Sequence, residues 1–433
     1  MFGTEINSRP FLQILCGIFL LALLFPGVRR NVASCIERFE TSVSPGRLRG
    51  VLAATALCYF FAALACKYSQ LYTHQLAGAD FWLLEDMLRW MAKGQPYVTR
   101  FAGQDVGPIQ HGAVHAFLSM YLLVPFVWLF GSEFTALAMN PLALAAGGFA
   151  IGLAANRLTD SRILALVCTV AFLASAWTGR ILMYDCHPEA FYPLLIVGAF
   201  VTLRNEFLSS RVRWIFMVGA VTLLAGMKQD AIFITFVIWL NAVLIGKLRP
   251  KAAVVSFATL MVVSLLMTGI IRQFRFGEFG VDHVLIGAQT FDVITPVAGS
   301  VALKGYQLNR VADLSGLANA FFAEHGGALN MAFDTLSYLV KPPFLMIALI
   351  APWIWVSGVS AWILLVPLGL IYGLVGGFIA GLPIYHSAPV LGLMFVAVIA
   401  DWQRHPERTK RWRFGILLWL VAISFLHGSS GLF

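Results

Sequence analysis

Charged side chains are scarce in this chain. They make up 12% of its 433 residues, about half the quarter usual in soluble domains, while 59% of the residues are apolar. A chain so poor in polar groups cannot cover a water-facing sphere, which excludes a soluble globular enzyme and a disordered protein alike. Cysteine is sparse and never spaced Cys-x-x-Cys among its six copies, so neither a zinc ribbon nor a redox pair is indicated. Cys16, Cys58, Cys66 and Cys168 lie within apolar runs, where a small thiol packs as an ordinary hydrophobe. The P-loop signature Gly-x4-Gly-Lys-Ser/Thr, the zincin signature His-Glu-x-x-His and the hydrolase elbow Gly-x-Ser-x-Gly are all missing, so those three chemistries have no support. No Arg-rich helix suggests a voltage sensor. The net charge of +9 does not imply nucleic acid. Lys and Arg fall in short clusters between apolar runs, and no basic stripe with interleaved aromatics occurs.

What the chain does have is a succession of apolar runs close to bilayer length, the mark of an all-α polytopic membrane protein. The spans read as 11–27, 51–68, 134–155, 163–180, 190–203, 214–230, 231–246, 252–271, 342–358, 360–381, 387–401 and 414–428. Arg29 and Arg30 follow the first run without a small-residue cleavage site, so a removable signal peptide is not expected. Placing 28–50, 156–162, 204–213, 247–251 and 402–413 on the inner face puts 18 of the 30 Lys and Arg residues there, a strong positive-inside bias. The N-terminus, 69–133, 181–189 and 272–341 then face outward. Run 113–130 is also apolar, but a crossing there would turn the basic loops on one side of it outward. It is read as a helix lying at the surface, which leaves about 11–13 spans in all. No repeat period or low-complexity tract is visible. The chain reads as a single membrane domain, 1–433, with a first outer loop at 69–133 carrying surface helices and a second outer cap segment at 272–341.

Ionisable residues near the bilayer cost about 2.5–3.5 kcal/mol each at a helix centre, so the outer ones repay weighing. Asp80 leads into Phe81-Trp82-Leu83-Leu84-Glu85-Asp86-Met87-Leu88-Arg89-Trp90. There Phe81, Leu84, Leu88 and Met91 share one helical face, with Glu85, Asp86, Arg89 and Lys93 elsewhere, as in an amphipathic surface helix. Asp80 is either its N-cap or a carboxylate at the mouth of a cavity. Tyr184-Asp185-Cys186-His187-Pro188-Glu189 is the tightest group. An extended backbone would project Asp185, His187 and Glu189 to one side, where they could bind a divalent cation such as Mg or Mn, or share a proton. The plainer alternative is a solvated turn in which His187 pairs with Glu189; Cys186 reads as a bystander. Met227-Lys228-Gln229-Asp230 breaks two apolar runs; Lys228 could meet a phosphate or close on Asp230. Tyr385-His386, His111, His115 and Arg180 are individually unspecific. All these groups fall on one side of an orientation derived from the basic loops alone, which suggests a single outward cavity.

Two of these strings resemble a family of uncharacterised bacterial integral-membrane proteins that carry Asp-Phe-His-Pro-Glu-Ala and, downstream, Lys-Glu-Asp-Ala. Here they read Asp185-Cys186-His187-Pro188-Glu189-Ala190 and Lys228-Gln229-Asp230-Ala231. Asp80 to Trp90, then Gly94-Gln95-Pro96-Tyr97, is similar to that family's opening surface helix, and the resemblance covers about residues 75–400. The family in turn resembles the GT-C membrane glycosyltransferases, which include oligosaccharyl-, mannosyl- and aminoarabinosyl-transferases. The resemblance implies a GT-C-like bundle in the bacterial inner membrane, its cavity facing the periplasm, and a sugar donor on polyprenyl phosphate. It matches Asp80 to the first catalytic acid, Asp185 to the second with Glu189 alongside, and Lys228 to a lysine that contacts the lipid phosphate. Phe81-Trp82 and Gln229 depart from the family pattern, and a C-terminal soluble domain like that of larger GT-C enzymes is not expected.

The expectation is a GT-C-like glycosyltransferase acting on the outer face. Asp80 and Asp185 are its catalytic residues, and His187, Glu189, Lys228, Arg180, His111 and His386 bind substrate. Asp185, His187 and Glu189 are candidate ligands of a divalent cation. Its partners are a polyprenyl-phosphate sugar and membrane lipids, not nucleic acid. Two other classes stand beside it: a transporter or lipid flippase with the same groups as a proton or ion relay, and a membrane scaffold with no small-molecule site. Transporters often show two related halves, which this sequence does not.

Overall fold

The computed structural model describes residues 25–73, 79–94, 98–99, 109–110, 118–184, 186–204, 210–227, 231–276 and 388–406. Within them the chain is α-helical apart from a two-residue antiparallel pair, Val98–Thr99 with Ile109–Gln110. The expected spans 342–358, 360–381 and 414–428 lie outside the described residues, as do nearly all of 11–27 and of the cap 272–341.

The helices begin with α1, Pro26–Ser42, and α2, Pro45–Tyr72. Residues 28–50, expected as an inner loop, are thus helical. Prolines open both helices, where a missing N–H costs nothing, and Ser44 caps α2 by accepting from the Arg47 N–H. After these come α3, Ala79–Ala92, a 3₁₀ turn at Leu118–Leu123, α4 at Val124–Phe130 and α5 at Ser132–Thr159. The chain continues with α6, Arg162–Leu173, and α7, Ala176–Met183, then a 3₁₀ turn at Pro188–Phe191 and α8, Tyr192–Arg204. The remaining helices among the described residues are α9, Ser210–Met227, α10, Ala231–Leu244, α11, Pro250–Phe276, and α12, Ala388–Arg404.

Helices α2 and α5 are each long and apolar enough to cross a membrane alone. Helices α6 and α7 reach that length only together, with a 45° bend between them. The apolar stretch expected as span 163–180 is therefore bent, the geometry of a broken span or of a re-entrant loop. The break needs no water. Ser175 caps α7 by accepting from the Thr178 N–H at 3.1 Å, and the Thr178 hydroxyl donates to the Phe172 carbonyl. Of the run 113–130, the described residues form the 3₁₀ turn and α4 over 118–130, about 20 Å of helix against a hydrocarbon core of about 30 Å.

The centre of the bundle is α5, which packs on α2, α3, α6, α8 and α12. Its seam with α6 is set by glycine. A Cβ at Gly148 would meet Leu173 Cδ2 at 2.7 Å, and one at Gly152 would run into the Thr169 hydroxyl. That hydroxyl donates instead to the Gly148 carbonyl at 3.0 Å. Gly148-Phe149-Ala150-Ile151-Gly152 is a small-xxx-small pattern, which lets two helix backbones approach closely. At the far end of α5, Asp160 closes the helix in the left-handed region, φ 52°. Glu40 of α1 then pins the start of α6, accepting from Ser161 Oγ at 2.6 Å, the Arg162 N–H at 2.9 Å and the Ile163 N–H at 3.3 Å.

Candidate functional site

The amphipathic pattern of α3 places its apolar face as expected: Phe81, Leu84, Met87, Leu88 and Met91 are all buried. Glu85, assigned by sequence to another face, is buried as well, at 3% exposure. Its carboxylate is satisfied there. Arg89 donates to both oxygens at 2.7 and 2.9 Å, and Ser132 Oγ donates to Oε1. The C-terminal end of α3 is held by Trp128, whose indole N–H donates to the Ala92 carbonyl at 2.9 Å. The backbone of Asp80 belongs to the first turn of α3, while its side chain lies outside the described residues.

One buried cluster joins the apolar face of α3 to Met120, Val124, Val127, Ala136, Leu137, Met139 and Cys186. Two segments separated by a hundred residues, the surface helix and the Asp-Cys-His-Pro-Glu string, therefore share one core. Cys186 acts in that core as packing, with its Sγ 3.6 Å from Met139 Sδ. Cys66, on α2, lies 3.9 Å from a different thioether, Met183 Sδ. Among the described residues neither cysteine is in a disulfide.

After α7 the backbone is extended at Tyr184 and His187, then tightens into the 3₁₀ turn that starts at Pro188. The extended register expected across 185–189 thus ends at His187, because proline fixes φ at a helical value and begins a new turn. The turn brings the two side chains together. His187 Nδ1 and Glu189 Oε2 are 2.9 Å apart, with 7% and 2% of the residues exposed. The expected pairing is present, but the turn is buried rather than solvated. A buried imidazole–carboxylate pair fixes the tautomer and direction of the ring, and it can hold or pass one proton.

Two residues not singled out from sequence hold this segment. Asn140 of α5 donates from Nδ2 to the Ile181 and Tyr184 carbonyls at 3.0 and 3.4 Å, and its Oδ1 accepts from the His187 N–H at 3.2 Å. Lys67 of α2 is 3% exposed. Its ammonium donates to the Met183 and Tyr184 carbonyls at 3.2 and 2.7 Å. These are the orphan carbonyls of a helix end, and a cation there also meets the negative pole of α7. Gln70, one turn along α2, donates to Met183 Sδ at 3.5 Å. A lysine inside the apolar run 51–68 was the available sequence signal for Lys67, since an intramembrane ionisable residue marks a site by default.

Arg180 occupies the last turn of α7, half-buried, and its carbonyl accepts from the Tyr184 N–H at 3.1 Å. Asp185, Lys228, His111 and His386 lie outside the described residues. The structure thus brings together His187, Glu189, Lys67 and Asn140 at the end of α7, with the helix that carries Asp80 packed through Cys186 against the same turn. Among the described residues no three His, Cys, Asp or Glu side chains converge as a metal site; the expected triad includes Asp185, which is not among them.

A family model described as "Predicted membrane protein (DUF2079)" matches residues 70–430. No curated protein matches the chain. Among solved structures, the chain is similar to the crystal structure of ArnT from Cupriavidus metallidurans bound to undecaprenyl phosphate. The similarity covers 90% of this chain and 78% of that one, with 15% sequence identity and a TM-score of 0.38.

Proposed function

The chain belongs to this DUF2079 family of predicted membrane proteins, and from that premise we propose that it is a GT-C-like glycosyltransferase. It moves a sugar from a polyprenyl-phosphate donor to a hydroxyl acceptor at the outer, periplasmic face of a bacterial inner membrane. The observation that carries the reading is the buried His187–Glu189 pair on a turn that shares a core with α3, the helix of Asp80. The string Asp185-Cys186-His187-Pro188-Glu189-Ala190, and the resemblance of the family that carries such a string to GT-C enzymes, supply the chemistry.

On this reading the Asp80 carboxylate takes the proton of the acceptor hydroxyl as that oxygen attacks the anomeric carbon. The bond from this carbon to the phosphate oxygen breaks, and polyprenyl phosphate leaves with the bonding pair. Lys228 and Arg180 offset the charge gathering on the phosphate, and His111 and His386 bind substrate. Asp185, Glu189 and His187 would hold a divalent cation, Mg or Mn, which when bound neutralises phosphate charge. The His187 Nδ1 contact to Glu189 suits such a role, because a carboxylate on one ring nitrogen aims the other at a cation.

Native mass spectrometry of the protein in mild detergent tests the donor, and a transfer assay with Asp80→Asn and Glu189→Gln tests the residues. A retained polyprenyl phosphate or its glycosylated form is expected. Both variants should keep that lipid and lose transfer. Bulk phospholipid alone, even with polyprenyl phosphate added in excess, would remove the donor and leave the ionisable groups to a relay in a transporter. Wild-type turnover by Asp80→Asn would take Asp80 out of the mechanism.

A further inference from the structure

The end of the bundle away from the His187 turn holds a cavity of about 590 Å³, lined by Arg49, Leu153, Asn156, Arg157 and Asp160. Arg49 stands in the first turns of α2 and Arg157 in the last turn of α5, two helices packed directly on each other. Arg49 and Lys67 stand eighteen positions apart on α2, about 27 Å of helix, so this cavity lies close to a hydrocarbon core's thickness from the His187 turn. The basic-loop bias places this one inside.

The wall has one carboxylate against two guanidiniums, so it is cationic. Among the described residues neither guanidinium has a carboxylate partner within ion-pair distance. Glu40, the nearest acid of α1 in sequence, is committed to the start of α6. Two planar forks on facing helices suit the oxygens of a phosphate, which guanidinium groups bind in pairs of hydrogen bonds. The Asn156 amide and the Asp160 carboxylate add groups that recognise hydroxyls. Leu153 provides an apolar wall, and farther along α2 the side chains of Leu57 and Phe61 are 55% and 62% exposed, a surface for acyl chains. The volume falls within the range of small-molecule sites.

We propose that this cavity binds the headgroup of an anionic phospholipid that carries free hydroxyls, with Arg49 and Arg157 on the phosphate and Asn156 and Asp160 on the hydroxyls. The site is independent of the transferase reading. It would tie the α2–α5 seam to the composition of the inner leaflet.

The test uses the full chain in nanodiscs of phosphatidylcholine titrated with phosphatidylglycerol, then native mass spectrometry for retained lipid. Wild type should retain phosphatidylglycerol. The double variant R49Q/R157Q should bind it at least about tenfold more weakly, as expected for losing two charge-assisted contacts. R49K/R157K keeps the charge without the forks and should fall between the two. Arg47→Gln, a charge lost from the same helix but not from the cavity wall, should match wild type. Melting temperatures of all four proteins in detergent establish that each is folded. Equal retention by wild type and R49Q/R157Q overturns the proposal, and so does a loss in Arg47→Gln as large as in the double variant. An inorganic phosphate arm separates the sources. Phosphate that stabilises wild type but not R49Q/R157Q, with no preference for phosphatidylglycerol, would assign the same cationic pocket to a free phosphate.

Discussion

Gly152→Ala should destabilise the protein even though alanine is the better helix former by about 1 kcal/mol. The new Cβ would run into the Thr169 hydroxyl and lie 3.1 Å from both the Ala165 carbonyl oxygen and Leu52 Cδ2. One neighbour is a backbone atom, so α6 has to move as a unit. Overpacking of this kind costs about 1–3 kcal/mol. Displacing α6 also stretches the Thr169–Gly148 hydrogen bond of 3.0 Å, worth about 0.6 kcal/mol between membrane helices. Set against the propensity gain, the net loss is about 0.6–2.6 kcal/mol. Gly198→Ala is the counterpart, because a Cβ there meets nothing within 4 Å; it should leave stability unchanged or raise it by up to about 1 kcal/mol. Thr169→Ala removes the colliding hydroxyl, so the double variant should lose less than the two single losses added together. Reversible unfolding in mixed micelles, followed by tryptophan fluorescence, measures the four variants against wild type. Gly152→Ala as stable as wild type, or additive with Thr169→Ala, would refute the argument that this seam is closed by the missing side chain.

Two further substitutions probe the ends of short helices. Lys67→Met strips the Met183 carbonyl of its ammonium donor, and a buried unsatisfied carbonyl costs about 1–3 kcal/mol, partly offset because a charge no longer has to be buried. Amide exchange over 181–189 should quicken while the α5–α6 seam stays protected; unchanged exchange would show that Asn140 suffices. Glu40→Gln takes the charge from three donors at the start of α6, a loss of about 1 kcal/mol. Limited proteolysis should then cut α1 faster, and an unaltered rate would mean that α1 is held by packing alone.

Much of the helical layout was legible because apolar runs of bilayer length have few alternatives. Runs 51–68 and 134–155 became the centres of α2 and α5, and the apolar face of α3 was readable from period alone. The site was legible where its residues are contiguous, as with His187 and Glu189. Asn140 and Lys67 were not, because their role depends on where α7 ends relative to two helices far away in sequence. A lone Asn beside Pro141 in an apolar run looks like a tolerated polar residue until a third helix presents carbonyls to it. Glu85 misled for a related reason: period assigned it to the solvent side, while Ser132 and Arg89 made burial affordable. The bend at Ala174–Ser175 was equally hidden, since its polar groups are satisfied by each other and leave no gap in hydropathy.

That bend sets a depth. Helix α6 has 12 residues and α7 has 8. With α6 along the bilayer normal and α7 inclined at 45°, the two helices alone climb about 26 Å, and Ala174 and Ser175 between them bring the pair close to a hydrocarbon layer of about 30 Å. A straight helix of the same length would carry its last residue to the far boundary. In a pair that crosses the layer, the bend would lower the end of α7 toward the level where acyl chains give way to headgroups. A lipid can present its phosphate at that level while its tail stays in its own leaflet.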